Sequence, residues 1–497
     1  YNCYNESEEI AGGVPVNRPN IFVKEMNQYE IKTQAGTLHY NMKWLDNDKG
    51  LQKKRAFLKS IWLQTCAFLY KEERIRPEEL RWSYPGSMME ADSAELEKIF
   101  EELCRMTPIT GGRQPQLGRE LTTEAEAVCS FALSRDFGLN KDNMFLGIDV
   151  GGSTSDILLL AKDQNNGNKS SLYRESSVRI AAGVFFNAVI KSESFRQALV
   201  SFHEGRKTKV FVANIKEVLT QPSKAPYYLN SIFDQLKSES DYEEFYSSIN
   251  NNARFVFTIP AYVTGLLLFY SGMLIGKTIK TEKMDHIRRV DVLSFGKGGR
   301  LFHWLRSSAT QRVTNEYYEN CLNAGVNLVT EKNLEVKYRD EIEINNKAEV
   351  AMGLVDAKEL IKKQQEVDSD ICGETGVKYI MDDGTPKELQ TEDELTGEYF
   401  ANEMNKFDFS GVTNFEKFME IFIDFVSQKT RLYPQADNLR EELADLPNRI
   451  TSYICNNDDE YRKARRTQGD DFTYHQPIII AEGACFLDTL IKKAFNQ

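Results

Sequence analysis

Apolar and polar positions alternate along the chain in blocks that predict strands followed by helices. The short apolar stretches MFLGIDV (residues 144–150) and VDVLSF (290–295) are bounded by polar or glycine-rich residues, which is typical of buried strands. Residues 53–73 instead carry apolar side chains at helical spacing, as Phe57, Ile61 and Trp62 illustrate. Strands that alternate with helices in this way predict an α/β fold whose sheets are covered by helices.

The longest apolar segment, VTGLLLFYSGMLIG from Val263 to Gly276, predicts a buried helix. It is shorter than the roughly 18 to 20 residues that a membrane-spanning helix needs. A polar and acidic stretch over residues 356–412 marks a domain boundary, and helical patterns follow it. Near the end of the chain, QPIIIAEGACFLDTLIKKAF (476–495) predicts a strand, a glycine turn and a helix.

Composition and charge narrow the function classes. The 497 residues suit about two to four domains. The net charge of −12 argues against a nucleic-acid-binding surface, because such surfaces are basic. Eight cysteines and five histidines are scattered without a CxxC pair or metal-ligand spacing. This pattern predicts free buried thiols in a reducing, cytoplasmic compartment, without a zinc site built from these residues and without a membrane partner.

The stretch LGIDVGGSTSDILLL (residues 146–160) places a glycine-rich turn between two predicted strands. Consecutive backbone N–H groups in such a turn form a concave anion site, and glycine lets another group approach the backbone closely. Asp149 is expected to face phosphate oxygens through Mg²⁺ and its waters, whereas Asp156 is expected to cap the turn or form a salt bridge. An ordinary hairpin turn, with Asp149 capping its N–H groups, is the alternative. The predicted anion-binding residues are Gly151, Gly152, Ser153 and Thr154.

A second glycine-rich turn follows VDVLSF and opens a predicted apolar helix over residues 300–310. Glycines there leave room for a flat base and a ribose, and the side chains of Lys297 and Arg300 are expected to flank an adenine. Close packing between the strand and the helix is the alternative reason for these glycines. The predicted nucleoside-binding residues are Gly296, Lys297, Gly298, Gly299 and Arg300.

Four segments, in their order and spacing, resemble the actin-like ATPase superfamily, which includes actins, heat-shock chaperone ATPases, plasmid-segregation filaments and sugar kinases. The resemblance covers roughly residues 77–360 and implies a two-lobed, ribonuclease H-like α/β fold that binds Mg²⁺ and ATP between its lobes. TEAEAVCSFAL is similar to the first connecting helix, and IDVGGSTSD is similar to the second phosphate loop. VLSFGKGGRLFHWL is similar to the adenosine loop, and KAEVAMGLV is similar to the second connecting helix.

The resemblance also implies roles for individual residues. It assigns Glu124 to the attacking water and Asp149 to the metal, so these two are the predicted catalytic residues. Glu126 competes with Glu124, because the family pattern reads like ESEA and this chain reads TEAEA. Both glutamates also have an ordinary interpretation, since acidic residues stabilise a helix N-terminus. Gly183, at the start of another predicted helix, is expected to approach the nucleotide.

The resemblance implies four parts and one missing element. The family's first phosphate hairpin has no counterpart in residues 1–120. Because the sequence starts at Tyr1 rather than at Met, the hairpin is expected upstream; otherwise the protein is a non-hydrolysing relative. Residues 1–145 are predicted to form a partial first lobe with the first connecting helix, and residues 146–345 a second lobe that contains both loops. The second lobe has a helical insertion at about 191–286. Residues 346–360 are predicted to form the second connecting helix, and residues 361–497 a mainly helical C-terminal extension.

The function implied by the resemblance is an actin-like ATPase or a nucleotide-dependent conformational switch, chaperone-like or filament-related, with a protein partner or self-assembly. ATP hydrolysis is expected if the first hairpin is present upstream. Two alternatives stay open. One is a non-hydrolysing scaffold with the same fold. The other is a sugar or acyl kinase, in which LGIDVGGST would be the first phosphate loop.

Overall fold

The described chain divides into two compact units. The first unit comprises Tyr1–Tyr84, Met88–Thr123 and Ile190–Ser248, and the second comprises Pro85–Ser87, Glu124–Val189 and Ile249–Gln497. The computed structural model describes the following residues, with short gaps inside the longer ranges: 3–4, 37–38, 48–134, 139–220, 229, 239–339, 348–356, 370–394, 407–457 and 476–495.

The first unit is mainly helical. A small apolar core is formed by Trp82, Met88 and Ile99, and the indole N–H of Trp62 donates a hydrogen bond to Oγ1 of Thr107 at 2.7 Å. Its helices are Asp48–Phe68, Glu90–Met106, Glu193–His203, Lys209–Leu219 and most of Glu239–Ala253, and its paired strands are Cys3–Tyr4 with Thr37–Leu38, Glu79–Leu80 with Gln116–Leu117, and Ser83–Tyr84 with Thr122–Thr123. The helix predicted over residues 53–73 is confirmed, since Leu69–Glu73 continues Asp48–Phe68.

A five-stranded sheet, here called the central sheet, forms the centre of the second unit. Its strands in chain order are β1 (Asn143–Val150), β2 (Ser155–Asp163), β3 (Lys169–Val178), β4 (Arg289–Phe295) and β5 (Glu335–Tyr338). Their spatial order is β5-β4-β1-β2-β3. The first three strands are antiparallel neighbours, whereas β4 pairs in parallel with both β1 and β5. The predicted strands and the predicted mixed α/β class are therefore confirmed.

One face of the central sheet packs against two helices. Phe145, Leu158 and Phe295 on this face contact apolar residues of the helix Glu124–Ser134, and Val350 of the helix Ala348–Asp356 joins the same cluster. The two helices also contact each other, because Gly353 lies against the backbone of Ala127. The segments predicted as the two connecting helices thus form helices that pack together in one unit.

The helix Thr258–Thr281, here called the core helix, confirms the predicted buried helix and extends beyond the apolar segment on both sides. Nearly all of its residues are buried, because helices Gln311–Asn327, Thr413–Ile423 and Ile478–Phe495 pack around it. Within the described part of the chain, the helical stretch Glu243–Thr281 is the one segment long and apolar enough to cross a bilayer, and its most apolar window is fully buried in the protein.

The region after residue 361 corrects one sequence prediction. The apolar run Ile478–Ile480 does not form a strand, since it begins an unbroken helix that ends at Phe495. A fully buried helix and a buried strand show the same continuous apolar run, so periodicity alone does not separate them. The region predicted to be mainly helical also contains a small sheet. Its strands are Lys378–Ile380, Pro386–Glu388 and Phe407–Asp408, and the other helices are Thr413–Ile423, Leu439–Ala444 and Leu446–Asn457.

The crossing of the core helix with Gln311–Asn327 gives a stability prediction. A Cβ on Gly272 would collide with the carbonyl oxygen of Leu322, so the two backbones are too close for any side chain at residue 272. We expect Gly272→Ala to lower the free energy of unfolding by about 1–3 kcal/mol, because overpacking a well-packed contact forces the helices apart. Urea denaturation measures this change.

Gly152→Ala is the matched control for this substitution. A Cβ on Gly152 would have no atom within 4 Å, so the same chemical change should leave stability within about 0.5 kcal/mol of the wild type. Equal stability losses in both variants would contradict the close helix crossing.

Candidate functional site

Asp149 lies at the carboxyl end of β1, the central strand of the sheet. All eight residues of β1 are buried, and Asp149 keeps only 9% of its surface exposed. In the register of the sheet, Asp149 is opposite Phe295 of β4 on one side and Asp156 of β2 on the other. Directly opposed residues share a face, so the two aspartates lie on the face that the helix Glu124–Ser134 covers.

The first glycine turn is joined to the helix Ala182–Val189 by two backbone hydrogen bonds. The N–H groups of Ala182 and Gly183 donate to the carbonyl oxygens of Gly151 and Gly152 at 3.1 and 3.0 Å. A Cβ on Gly183 would collide with the Gly152 carbonyl oxygen, so this close approach requires glycine. The helix confirms the predicted glycine-opened element. The observed neighbour of Gly183 is the turn itself, and its approach to a nucleotide stays a prediction.

Gly152 is exposed at the tip of this turn, whereas Thr154 is buried. The N–H of Gly151 donates to the carbonyl oxygen of Thr154 at 2.8 Å, which closes the turn. Of the predicted anion-binding residues, Ser153 lies outside the described residues. The described geometry therefore leaves open space at Gly152, where another group can approach the backbone.

The second glycine turn lies directly against the end of β1. Gly296 has a positive φ of 69°, and a Cβ there would collide with Oδ1 of Asp149. A Cβ on Gly298 would lie 2.5 Å from the carbonyl oxygen of Val150 and 2.8 Å from Cβ of Ala182. The two glycine turns predicted from separate parts of the sequence are thus brought together, and the packing of strand against turn explains Gly296 and Gly298 without a ligand.

The helix after the second turn is shorter than predicted. It covers Arg300–Trp304, preceded by a short 3₁₀ turn over Lys297–Gly299, and does not reach residue 310. Arg300 is half-buried at its start, and the side chain of Lys297 lies outside the described part of the chain. Whether these two side chains flank an adenine stays a prediction.

Asp156 carries an unusual carboxyl group in this site. Burial raises the pKa of Asp156 well above its ordinary value, and the charge of neighbouring Asp149 raises it further. The hydroxyl of Ser177 donates to Oδ1 of Asp156 and opposes this shift, while the charges of Glu124 and Glu175 add to it. The prediction that Asp156 caps the turn or forms a salt bridge is wrong, because its hydrogen-bond partner among the described residues is the side chain of Ser177.

Glu124 begins the helix Glu124–Ser134 and is half-buried. Its charge acts on Asp156, whereas the charge of Glu126 acts on the buried thiol of Cys129 further along the same helix. Glu124 therefore lies on the side of the two aspartates. The competing candidate, Glu126, acts on a different part of the helix. Its role in holding a water stays a prediction.

Sequence reasoning missed Glu175 and Ser177, which β3 contributes to the same face. Ser177 is opposite Asp156 in the register of the sheet, and Glu175 is opposite Leu158. Period-two alternation along SLYRESSVRI (residues 171–180) indicates that residues 175 and 177 share a face. The sequence does not indicate that this face meets Asp156, because the pairing of the strands is a long-range property.

Metal-ligating groups are sparse in the described residues. They contain no group of three or more His, Cys, Asp or Glu side chains arranged to hold a metal ion. The structure describes six cysteine side chains as free thiols, and this confirms the free-thiol prediction for Cys66, Cys104, Cys129, Cys321, Cys372 and Cys485. Asp149 as a ligand of Mg²⁺ through water stays a prediction.

Comparison with known proteins does not assign a function to this site. The chain matches no protein-family model, and no curated protein matches it. The site is therefore interpreted from its own residues: two glycine turns and a helix N-terminus that meet at the carboxyl end of one buried strand.

The raised pKa of Asp156 predicts a pH-dependent cost to folding. The folded chain binds this proton more strongly than the unfolded chain, whose aspartate has a pKa of about 3.9, so stability falls as the pH rises above that value. Asp156→Asn keeps the shape of the neutral carboxyl group but cannot ionise. We expect its stability advantage over the wild type to grow by up to about 1.4 kcal/mol per pH unit, from pH 4 upwards.

Urea denaturation between pH 4 and pH 8 measures this difference. The exposed Asp142 provides the control, since Asp142→Asn should shift stability by a constant, small amount across the same range. A constant difference between the wild type and Asp156→Asn would contradict a buried, protonated carboxyl group.

Proposed function

We propose that the carboxyl end of β1 is a nucleotide site and that the protein is an actin-like ATPase or a nucleotide-dependent conformational switch. The ligand is ATP with Mg²⁺, and the nucleotide state controls a protein partner or self-assembly. The proposed location is the cytoplasm. ATP hydrolysis is part of the proposal where a first phosphate hairpin completes the site.

One observation carries this proposal. The first glycine turn, the second glycine turn and the helix that begins at Glu124 come from distant parts of the sequence, and they meet at the end of one strand. In open α/β sheets, ligands bind outside the carboxyl ends of the strands, where loops and helix starts surround them. The mixed α/β class supports the same interpretation, and so does the packing of the helix that contains Ala127 against the helix that contains Gly353.

The described residues fit a phosphate ligand at the first turn. Gly152 is exposed, and its backbone has open space on the side where a side chain would project. Asp149 would hold a magnesium ion through water. Glu124 would hold a second water, the one that attacks the terminal phosphate. Bound Mg²⁺ would neutralise charge that develops on the phosphate oxygens. The chain itself positions the phosphates against backbone N–H groups and holds the carboxylate at the end of a buried strand.

A non-hydrolysing scaffold is the second candidate, and the surroundings of Asp149 favour it. The Asp149 carboxylate is covered by Gly296 and lies beside a second carboxyl group, Asp156, whose pKa is raised. A carboxylate that reaches a metal through water needs an open side, and the 9% exposure of Asp149 makes that side small. A folded chain that binds no adenine nucleotide would assign the protein to this class.

Paired substitutions at the two aspartates test the nucleotide site. We expect Asp149→Asn to weaken Mg²⁺-dependent ATP binding about 10- to 100-fold, because it removes a charged partner of the metal, a contact that contributes about 1.5–3 kcal/mol. Asp156→Asn should change the affinity less than about threefold, since Asp156 is buried and its burial raises its pKa well above the ordinary value, which disfavours the charged form. Isothermal titration calorimetry with and without Mg²⁺ gives both dissociation constants. Equal effects of the two substitutions, or no ATP binding by the wild type, would contradict the proposal.

Glu124→Gln tests hydrolysis separately from binding. A group that positions water acts mainly in the transition state, so we expect hydrolysis to slow about 100-fold while the ATP dissociation constant stays unchanged. Glu126→Gln is the matched control, because Glu126 lies in the same first turn of the helix and its charge acts on Cys129, whereas the charge of Glu124 acts on Asp156. A rate loss with Glu126→Gln and none with Glu124→Gln would exchange the assigned roles. The comparison of rates applies if the chain hydrolyses ATP.

A further inference from the structure

A second pair of buried carboxyl groups lies away from the glycine turns, between a loop and the end of the chain. Glu374 is fully buried in the loop that precedes the strand Lys378–Ile380. Its Oε1 accepts hydrogen bonds from the N–H groups of Thr375 and Asn414, both at 2.7 Å, and its Oε2 accepts one from Phe415 at 2.9 Å. Two of these donors open the helix Thr413–Ile423. Three N–H donors of this kind stabilise the ionised form of Glu374.

The partner of Glu374 is Glu482 of the helix Ile478–Phe495, here called the C-terminal helix. Glu482 is fully buried, and neither of its carboxyl oxygens accepts a hydrogen bond from any donor among the described residues. A carboxylate left in this state would lose its hydration without compensation, which is very costly. A neutral carboxyl group instead carries a proton and donates it.

Among the described residues, the charged or titratable groups that act on Glu482 are Glu374 and Cys485, and neither carries a positive charge. The hydroxyl of Tyr262 on the core helix donates to the carbonyl oxygen of Gly483 at 2.8 Å, so it is committed beside Glu482. The titratable groups around the pair are Glu374 and Cys372 on the loop, Tyr262 on the core helix, Tyr453 on the helix Leu446–Asn457 and Cys485 on the C-terminal helix. The charged groups that act on Cys485 are Arg449, Asp488, Asp445 and Lys492.

We propose that a single proton on Glu482, donated to the ionised Glu374, fastens the C-terminal helix to the loop around residue 374 and to the start of the helix Thr413–Ile423. The proton is thus a structural component of the second unit. Loss of the proton places two negative charges side by side in the core and releases the C-terminal helix. The device is a pH-sensitive latch that is closed at low pH and weakens as the pH rises.

Several contacts define what the latch holds. The N–H of Ile479, at the start of the C-terminal helix, lies 3.4 Å from the carbonyl oxygen of Cys372, and Gly373 packs against the side chain of Ile479. The loop residue Glu374 therefore sits between two helix starts, one of which belongs to the last described segment of the chain. Opening the pair detaches this segment from the core helix, against which it packs.

The electrostatics of the pair agree with this assignment. Burial raises the pKa of Glu482 well above its ordinary value, and the charge of Glu374 adds to it. Burial also raises the pKa of Glu374, but the hydrogen bonds from Glu482 and from the three backbone N–H groups oppose that rise. The closed state keeps a proton that the open state, with a glutamate pKa of about 4.3, releases. The latch is therefore at full strength below that pH and weakens as the pH rises towards the pKa of the pair.

Hydrogen exchange read by mass spectrometry tests the latch in the full chain. Glu482→Gln keeps a donor towards Glu374 but cannot ionise, so it holds the latch closed at every pH. Wild type and variant are compared at the same pH between pH 6 and pH 8.5, which cancels the intrinsic pH dependence of exchange. We expect the ratio of their exchange rates in residues 478–495 to rise by up to about tenfold per pH unit, the limit for release of one proton.

Two comparisons make the test decisive. Asp488→Asn removes an exposed carboxylate from the same helix and should give a ratio to the wild type that does not change with pH. A flat ratio for Glu482→Gln would overturn the proposal, and so would an equal rise in the core helix, because that would indicate unfolding of the whole unit. Glu482→Met, which also lacks an ionisable group, provides the same comparison if Glu482→Gln fails to fold.

Discussion

The parallel pairing of β4 with β1 is the constraint on which the candidate site depends. Its register places Phe295 beside Asp149, so the turn after β4 must cross the end of β1 directly above that aspartate. The positive φ of Gly296 and the absence of its side chain then follow from the contact with Oδ1 of Asp149. A shift of one residue in this register would place a residue of β4 from the other face of the sheet beside Asp149 and would move the turn away from its carboxylate.

Much of the fold could be predicted from local sequence pattern, and the failures have a common physical cause. Strands β1 and β4 and the core helix were predictable, because each is a long apolar run with clear polar boundaries. The run Ile478–Ile480 was predicted as a strand and forms a helix, since full burial removes the polar positions that would reveal its period. The short helix Arg300–Trp304 ends where the hydroxyl groups of Thr310 and Thr314 both donate to the carbonyl oxygen of Leu305, and apolar periodicity does not reveal such side-chain hydrogen bonds.

The candidate site could be predicted in its backbone but not in its electrostatics. Glycine turns and the residues at strand ends are visible in sequence, and the structure brings them together. The raised pKa of Asp156 results first from its burial and then from Asp149 across the ladder, and the raised pKa of Glu482 results first from its burial and then from Glu374 in a distant loop. Burial and both partner groups are set by contacts between segments that are distant in sequence. Sequence spacing alone therefore predicted a cap or a salt bridge for Asp156 and gave no indication of Glu482.

The glycines of this site fall into two groups: those that close packing of the chain requires, and those that it does not. Gly183, Gly296 and Gly298 each approach other atoms of the chain so closely that a side chain would collide, so their identity needs no ligand. Gly152 has no neighbour within 4 Å and Gly299 has only ordinary contacts at 3.4 Å, and neither has a positive φ. Folding leaves these two glycines, one in each turn, unexplained. A group that lies along both turns would explain them, and a bound nucleotide is a group of that kind.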